Sequence, residues 1–131
     1  MENKMILVDT SILIELFRKS NKQNATLIQL IRLGYSFCIS AVTEYEIYIG
    51  TTLKQIDFWN QFLNKIPVLP FDKNAAKIAV EINKELKRKR KLIDTADLFI
   101  AATDLSQNLP IATLNRKHFE NIDSLLLIEQ A

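Results

Sequence analysis

An α/β fold built on a parallel sheet is what this 131-residue sequence predicts, on three observations. Short apolar stretches without strict alternation recur along the chain, as strands covered on both faces do. Helical stripes of apolar residues fill the intervals between them, which implies right-handed crossovers and parallel strands. The third stretch is flanked by Pro67 and Pro70. Proline cannot donate to a sheet ladder, so that strand belongs at an edge.

The elements follow in order. MILV at 5–8 is the first strand, and Ile12, Leu13, Leu16 and Phe17 share one face of a helix beginning near Ser11. A second helix carries Leu27, Ile28 and Ile31 and ends at Gly34. YSFCI at 35–39 is the second strand. It leads into a helical pair, one segment from Thr43 to Gly50 and another with Leu53, Ile56, Trp59 and Leu63 at helical spacing. After the edge strand PVL at 67–69 comes a longer helix, with Ala75, Ala79, Ile82 and Leu86 on one stripe. The segment LIDTADLFIAA is helical in its second half; PIAT at 110–113 and SLLLI at 124–128 are the last strands, with PIAT central.

The length suits one domain spanning 1–131, and 48% apolar residues suffice for one core. No stretch reads as a signal peptide, and no apolar run approaches the roughly 18 residues that span a bilayer, so a soluble, cytoplasmic chain with no membrane partner is expected. Cys38 is the one cysteine, which excludes an internal disulfide or a cysteine metal cluster; in YSFCI it reads as core packing. The two glycines belong to no phosphate-cradling loop, which disfavours nucleotide-cofactor enzymes.

Net charge is only +2, yet residues 84–91, KELKRKRK, hold six basic residues and one acid, leaving the remainder of the chain acidic. Such a run is either a solvated helix end or an RNA backbone contact.

Asp9, Glu46 and Asp97 carry the chemistry. Each stands where an apolar stretch gives way to a helix, and in a parallel sheet such strand ends open onto one cleft. Every one has a plainer explanation. Asp9 suits a helix cap. Thr43 and Glu46 fit a capping box. Asp97, three residues after Asp94, admits a weaker capping role, but its i−4, i+3 and i+4 neighbours are Ile93, Ile100 and Ala101, and a carboxylate on that face is costly to bury unless paired or metal-bound. Carboxylates gathered together raise one another's pKa values or demand cations, and hard oxygen ligands favour Mg²⁺ or Mn²⁺ over Zn²⁺. His118 is the single histidine and cannot build a histidine-rich site; a structural or substrate-contact role suits it better than general base catalysis.

The stretches VDTSILIEL, ISAVTEYEIYIG, DTADLFIAA and IATLNRKHF, in this order, resemble PIN-domain proteins, most closely the VapC-type toxins of bacterial toxin–antitoxin pairs. The resemblance covers essentially the whole chain. It implies a three-layer α/β/α fold with strand order 3-2-1-4-5 and a Mg²⁺- or Mn²⁺-dependent endoribonuclease that forms homodimers and binds an antitoxin. Asp9 matches the first acid of the family, Glu46 the glutamate of T-x-x-E-x-x-x-G, and Asp97 the aspartate before IAA. Asn115 falls where many members have a fourth acid. It can contact a phosphate or a water but adds no negative charge. Ser11 and Thr113 match small hydroxyls lining the site. Glu44, Asp94 and Asp104 match nothing and read as surface or capping groups.

The mechanism expected is hydrolysis of RNA by an activated water, with Asp9 and Asp97 as principal metal ligands and Glu46 direct or through water. Lys87, Arg88, Arg90 and Lys91, with Arg116 and Lys117 beside Asn115, are the expected RNA contacts. The competing reading is a catalytically weak RNA- or protein-binding module, in which Tyr45, Tyr48, Phe58, Trp59 and Phe62 supply an interface. A phosphatase or receiver-like domain fits less well, because Asp9 lacks a D-x-D partner.

Overall fold

The computed structural model describes residues 4–129. β1 (Lys4–Val8) and β2 (Tyr35–Ser40) pair in parallel over four registered positions, β3 (Val68–Leu69) adds to the far side of β2, and β4 (Ile111–Ala112) to the far side of β1. The order is therefore β3-β2-β1-β4. The edge position read from the prolines holds: Pro67 contributes a carbonyl, accepting from Ile39 N–H, where its missing N–H costs nothing.

Alternation along the strands sorts the helices into two layers. Ile6 and Val8 of β1 and Ile39 of β2 face a core shared with α1 (Thr10–Arg18), α2 (Thr26–Arg32), α3 (Ala41–Ile49) and α4 (Ile56–Leu63). Leu7 and Cys38 face the other way, onto α5 (Lys73–Lys89) and α6 (Thr95–Ser106). The result is the three-layer α/β/α arrangement. Cys38 is buried as read, and burial pushes its thiol up to about 11.

Four local expectations change. Residues 124–128 form no strand; Leu127 meets Ile111 in one parallel bridge, so the fifth position of the order is occupied by a strap rather than a ladder. Leu53 lies before α4 in a turn and is 94% exposed, because the α4 stripe starts only at Ile56. In α2, Leu27 and Leu30 are buried while Ile31 points outward. Finally, α3 begins at Ala41 with Ser40 as its cap, so Thr43 lies inside the helix and the capping box does not form. Gly34, at φ +99°, does end α2 as expected.

Candidate active site

Asp9 sits directly after β1 and caps α1, its Oδ1 3.4 Å from Ile12 N–H. Only 3% exposed, it is held by two hydroxyls rather than by a cation. Ser11 Oγ–H donates to Oδ1 at 2.5 Å and Thr113 Oγ1–H to Oδ2 at 2.6 Å. Those hydroxyls accept in turn from Leu114 N–H and Asn115 N–H, so the loop after β4 clamps the carboxylate from both sides. The capping and functional roles of Asp9 thus coexist.

Glu46 faces the same cleft from α3. Its Oε1 accepts from Thr10 Oγ1–H at 2.6 Å, and Thr10 Oγ1 lies 3.0 Å from Thr43 Oγ1. Asp97 stands in the first turn of α6, where its Oδ2 accepts from His118 Nδ1 at 2.8 Å. The imidazole is delivered by a short 3₁₀ turn, Arg116–His118, pinned by the fully buried Phe119. Asn115 opens that turn and lines the cleft.

These groups surround one cleft of about 680 Å³ whose walls include Asp9, Glu46, Asp97, Asn115 and His118. Electrostatics ties the acids together. Burial raises the Asp9 carboxyl above its ordinary value, the Ser11 and Thr113 hydrogen bonds partly offset this, and Asp97 adds a further upward push. Burial also raises Asp97, against the lowering influence of His118, with Glu46 and Asp94 adding repulsion. Perturbed carboxylates in one cleft mark a functional site.

Not every sequence candidate converges there. Lys87 and Arg88 are exposed on the last turn of α5, and Arg90 follows it in a left-handed cap; none of the three lines the cleft. Arg116 reaches away, to Ile128 O and Glu129. Lys91 and Lys117 instead line an adjoining hollow with Asp94, Asp97 and His118. Arg18 and Lys19, from the end of α1, line the main cleft and were missed, because cations ending a helix read as dipole complements. Of the acids set aside, Asp94 is exposed at the α6 N-cap without a capping hydrogen bond, and Glu44 lies half-buried in the first turn of α3. Asp104 is not a surface group. It is 0% exposed, neither carboxyl oxygen has a hydrogen-bond partner, and burial pushes its pKa up to about 8.

A family model for the PIN domain matches residues 6–125. The chain belongs to the PIN-domain family. This PIN domain is 36% identical over 122 residues to Ribonuclease VapC1 of Methanocaldococcus jannaschii, covering 92% of this chain and 83% of that one. It is 33% identical over 93 residues to the tRNA(fMet)-specific endonuclease VapC of Shigella flexneri, covering 67% of this chain and 70% of the relative. Among solved structures, a DNA-bound VapBC from Salmonella typhimurium matches with TM-score 0.84 at 26% identity, over 97% of this chain and 98% of that one.

VapC-type PIN nucleases depend on a divalent metal, and the donor chemistry here fits one. Three hard-oxygen carboxylates face one cleft, and among the described residues no lysine or arginine is ion-paired to any of them. Among the described residues no three metal-ligating side chains stand together at coordination spacing.

Proposed function

We propose that this protein is a Mg²⁺- or Mn²⁺-dependent endoribonuclease, the toxin of a toxin–antitoxin pair. The observation that carries this is the convergence of Asp9, Glu46 and Asp97 on one cleft, with Asp9 and Asp97 raised chiefly by burial and further by nearby acids. The ribonuclease names of its relatives, and the VapBC complexes among its structural neighbours, support the activity and an antitoxin partner.

Asp9, Asp97 and Glu46 are the residues that would hold the metal. When bound, it supplies Lewis acidity toward water and the scissile phosphate. The protein's own contribution is positional. Ser11 and Thr113 fix both oxygens of Asp9, Thr10 orients Glu46, and His118 aims Asp97. Asn115 offers an amide to a phosphate oxygen. With water attacking phosphorus and the 3′ oxygen leaving, as the family resemblance implies, the products would carry 5′-phosphate and 3′-hydroxyl ends. No helix among the described residues is long and apolar enough to cross a membrane.

Tyr45, Ile49 and Leu53 are exposed along the α3–α4 side. This favours a protein partner there, either antitoxin or a second copy, and is compatible with the nuclease reading.

The test is cleavage of total RNA by purified protein with Mg²⁺ or Mn²⁺, with chelator, and with Asp97→Asn. Asparagine keeps the shape and an acceptor for His118 but lowers the charge. Discrete fragments that need both metal and Asp97 are expected, with cleavage falling at least a hundredfold in the variant, on the order of the losses that follow removal of an essential charge-stabilising group. Unchanged cleavage by folded Asp97→Asn overturns the proposal.

A further inference from the structure

The cations near the acidic centre are not distributed at random. The main cleft and the adjoining hollow of about 250 Å³ share a wall made of Asp94, Asp97 and His118. Arg18 and Lys19 line only the main cleft, whereas Lys91 and Lys117 line only the hollow. The two basic pairs therefore belong to two different cavities that have Asp97 in common.

Two other basic residues close by, Lys89 and Arg116, are engaged. Lys89 is held by Glu85 at 2.8 Å and Asp123 at 2.7 Å, and donates as well to Asn121 O. This clasp binds the end of α5 to the 121–123 turn, and that turn contributes Asn121 to the hollow. Arg116, one residue before Lys117, is directed to Glu129 and Ile128 O. Lys91 and Lys117 are both exposed and have no ion pair among the described residues. Two lysines lining one concave surface raise the positive potential there and favour an anion.

We propose that the hollow of Lys91 and Lys117 is a phosphate subsite for the RNA strand, one side of the scissile bond, with Arg18 and Lys19 holding the strand on the other side. The proposal rests on the nuclease reading above. Asp94 and Asp97 repel an anion at the shared wall, which confines the phosphate to the lysine side of the hollow. A strand crossing the centre thus meets cation, acid and cation in turn, and the acids act on the linkage between two anchored phosphates.

The consequence is specific to two lysines out of a longer basic run. Lys87 and Arg88 carry the same charge on the same segment but line neither hollow. Affinity for a fluorescein-labelled single-stranded RNA is to be measured in chelator, where no cleavage occurs, across a range of salt for the wild type, Lys91→Gln/Lys117→Gln and Lys87→Gln/Arg88→Gln. Each lost phosphate contact should reduce the slope of log affinity against log salt by about 0.7. The Lys91/Lys117 pair should lose about 0.7 to 1.4 of slope, and the Lys87/Arg88 pair none. In the cleavage assay with metal, the first pair should raise KM severalfold at nearly unchanged kcat, because its contact is to a phosphate that does not react.

Equal slope losses for both pairs would reduce the effect to general surface charge and overturn the subsite. An unchanged slope and KM for Lys91→Gln/Lys117→Gln, in a wild type that binds and cleaves normally, overturns the subsite alone. A wild type that shows no metal-dependent cleavage overturns the nuclease reading, and the subsite with it.

Discussion

Asp9 keeps its place through hydroxyls that come from both ends of the sequence, and this gives the residue scale its sharpest prediction. Thr113 reaches it across 104 positions and lowers its pKa. Thr113→Val removes that donor from a buried carboxylate, so the acid limb of the kcat/KM profile should move to higher pH. Stability should fall by about 1–3 kcal/mol, measured by denaturant titration. Asp104 gives the opposite case. An unfolded aspartate loses its proton near pH 4, whereas the folded one keeps it to about 8. The native state therefore binds more protons between those values, and stability should decline by about 1.4 kcal/mol per pH unit across that window, then level off. Asp104→Asn should flatten this dependence and be the more stable protein at pH 7.5, checked by urea unfolding at several pH values. Asp97 and Asp104 illustrate what the sequence showed. Asp97 stood out because Ile93, Ile100 and Ala101 surround it; Asp104 follows it by seven residues, with Ile100 and Ala101 one turn before it, so the same burial argument reaches it and a surface or capping role does not hold. The bond from His118 to Asp97 was illegible, because it depends on how a three-residue 3₁₀ turn aims a ring.

At the scale of elements, helix starts and stops were legible to within a residue or two wherever one side chain dominates the capping. Gly34 ended α2 as read, and the start of α1 followed from Asp9. The start of α3 was displaced because both Ser40 and Thr43 can cap, and the sheet ends at Ser40, which settles the contest. The α5 end is the strained one. Arg90 adopts φ 57°, ψ 41°, a left-handed conformation that glycine takes without penalty. Arg90→Gly should therefore raise stability by about 0.5–1 kcal/mol, read as a rise in Tm. Short strands were the least legible elements. β4 has only two residues, and 125–128 makes hydrogen bonds to Ile111 without forming a ladder, although its composition is as apolar as that of β1.

For the whole molecule, alternation decided the architecture: adjacent residues such as Cys38 and Ile39 must enter different cores, so helices are required on both faces. The acidic cleft is then the natural binding place for a cation. Mn²⁺ or Mg²⁺ at a hundredfold excess over Kd should stabilise the fold by about 2.7 kcal/mol in thermal melts, and Asp97→Asn should lose most of that gain. A wild type whose Tm ignores both metals would count against a carboxylate-held cation. The clamp on Asp9 has one more consequence, for synthesis. Its donors lie at positions 11 and 113, β1 is completed on one side only by residues 111–112, and His118 comes later still. A ribosome-bound chain that has exposed α1 to α5 already contains Asp9 and Glu46, but lacks Asp97 with its imidazole partner, the Thr113 hydroxyl and the sheet edge. On the nuclease reading proposed above, cleavage would therefore wait until the last sheet contacts have emerged.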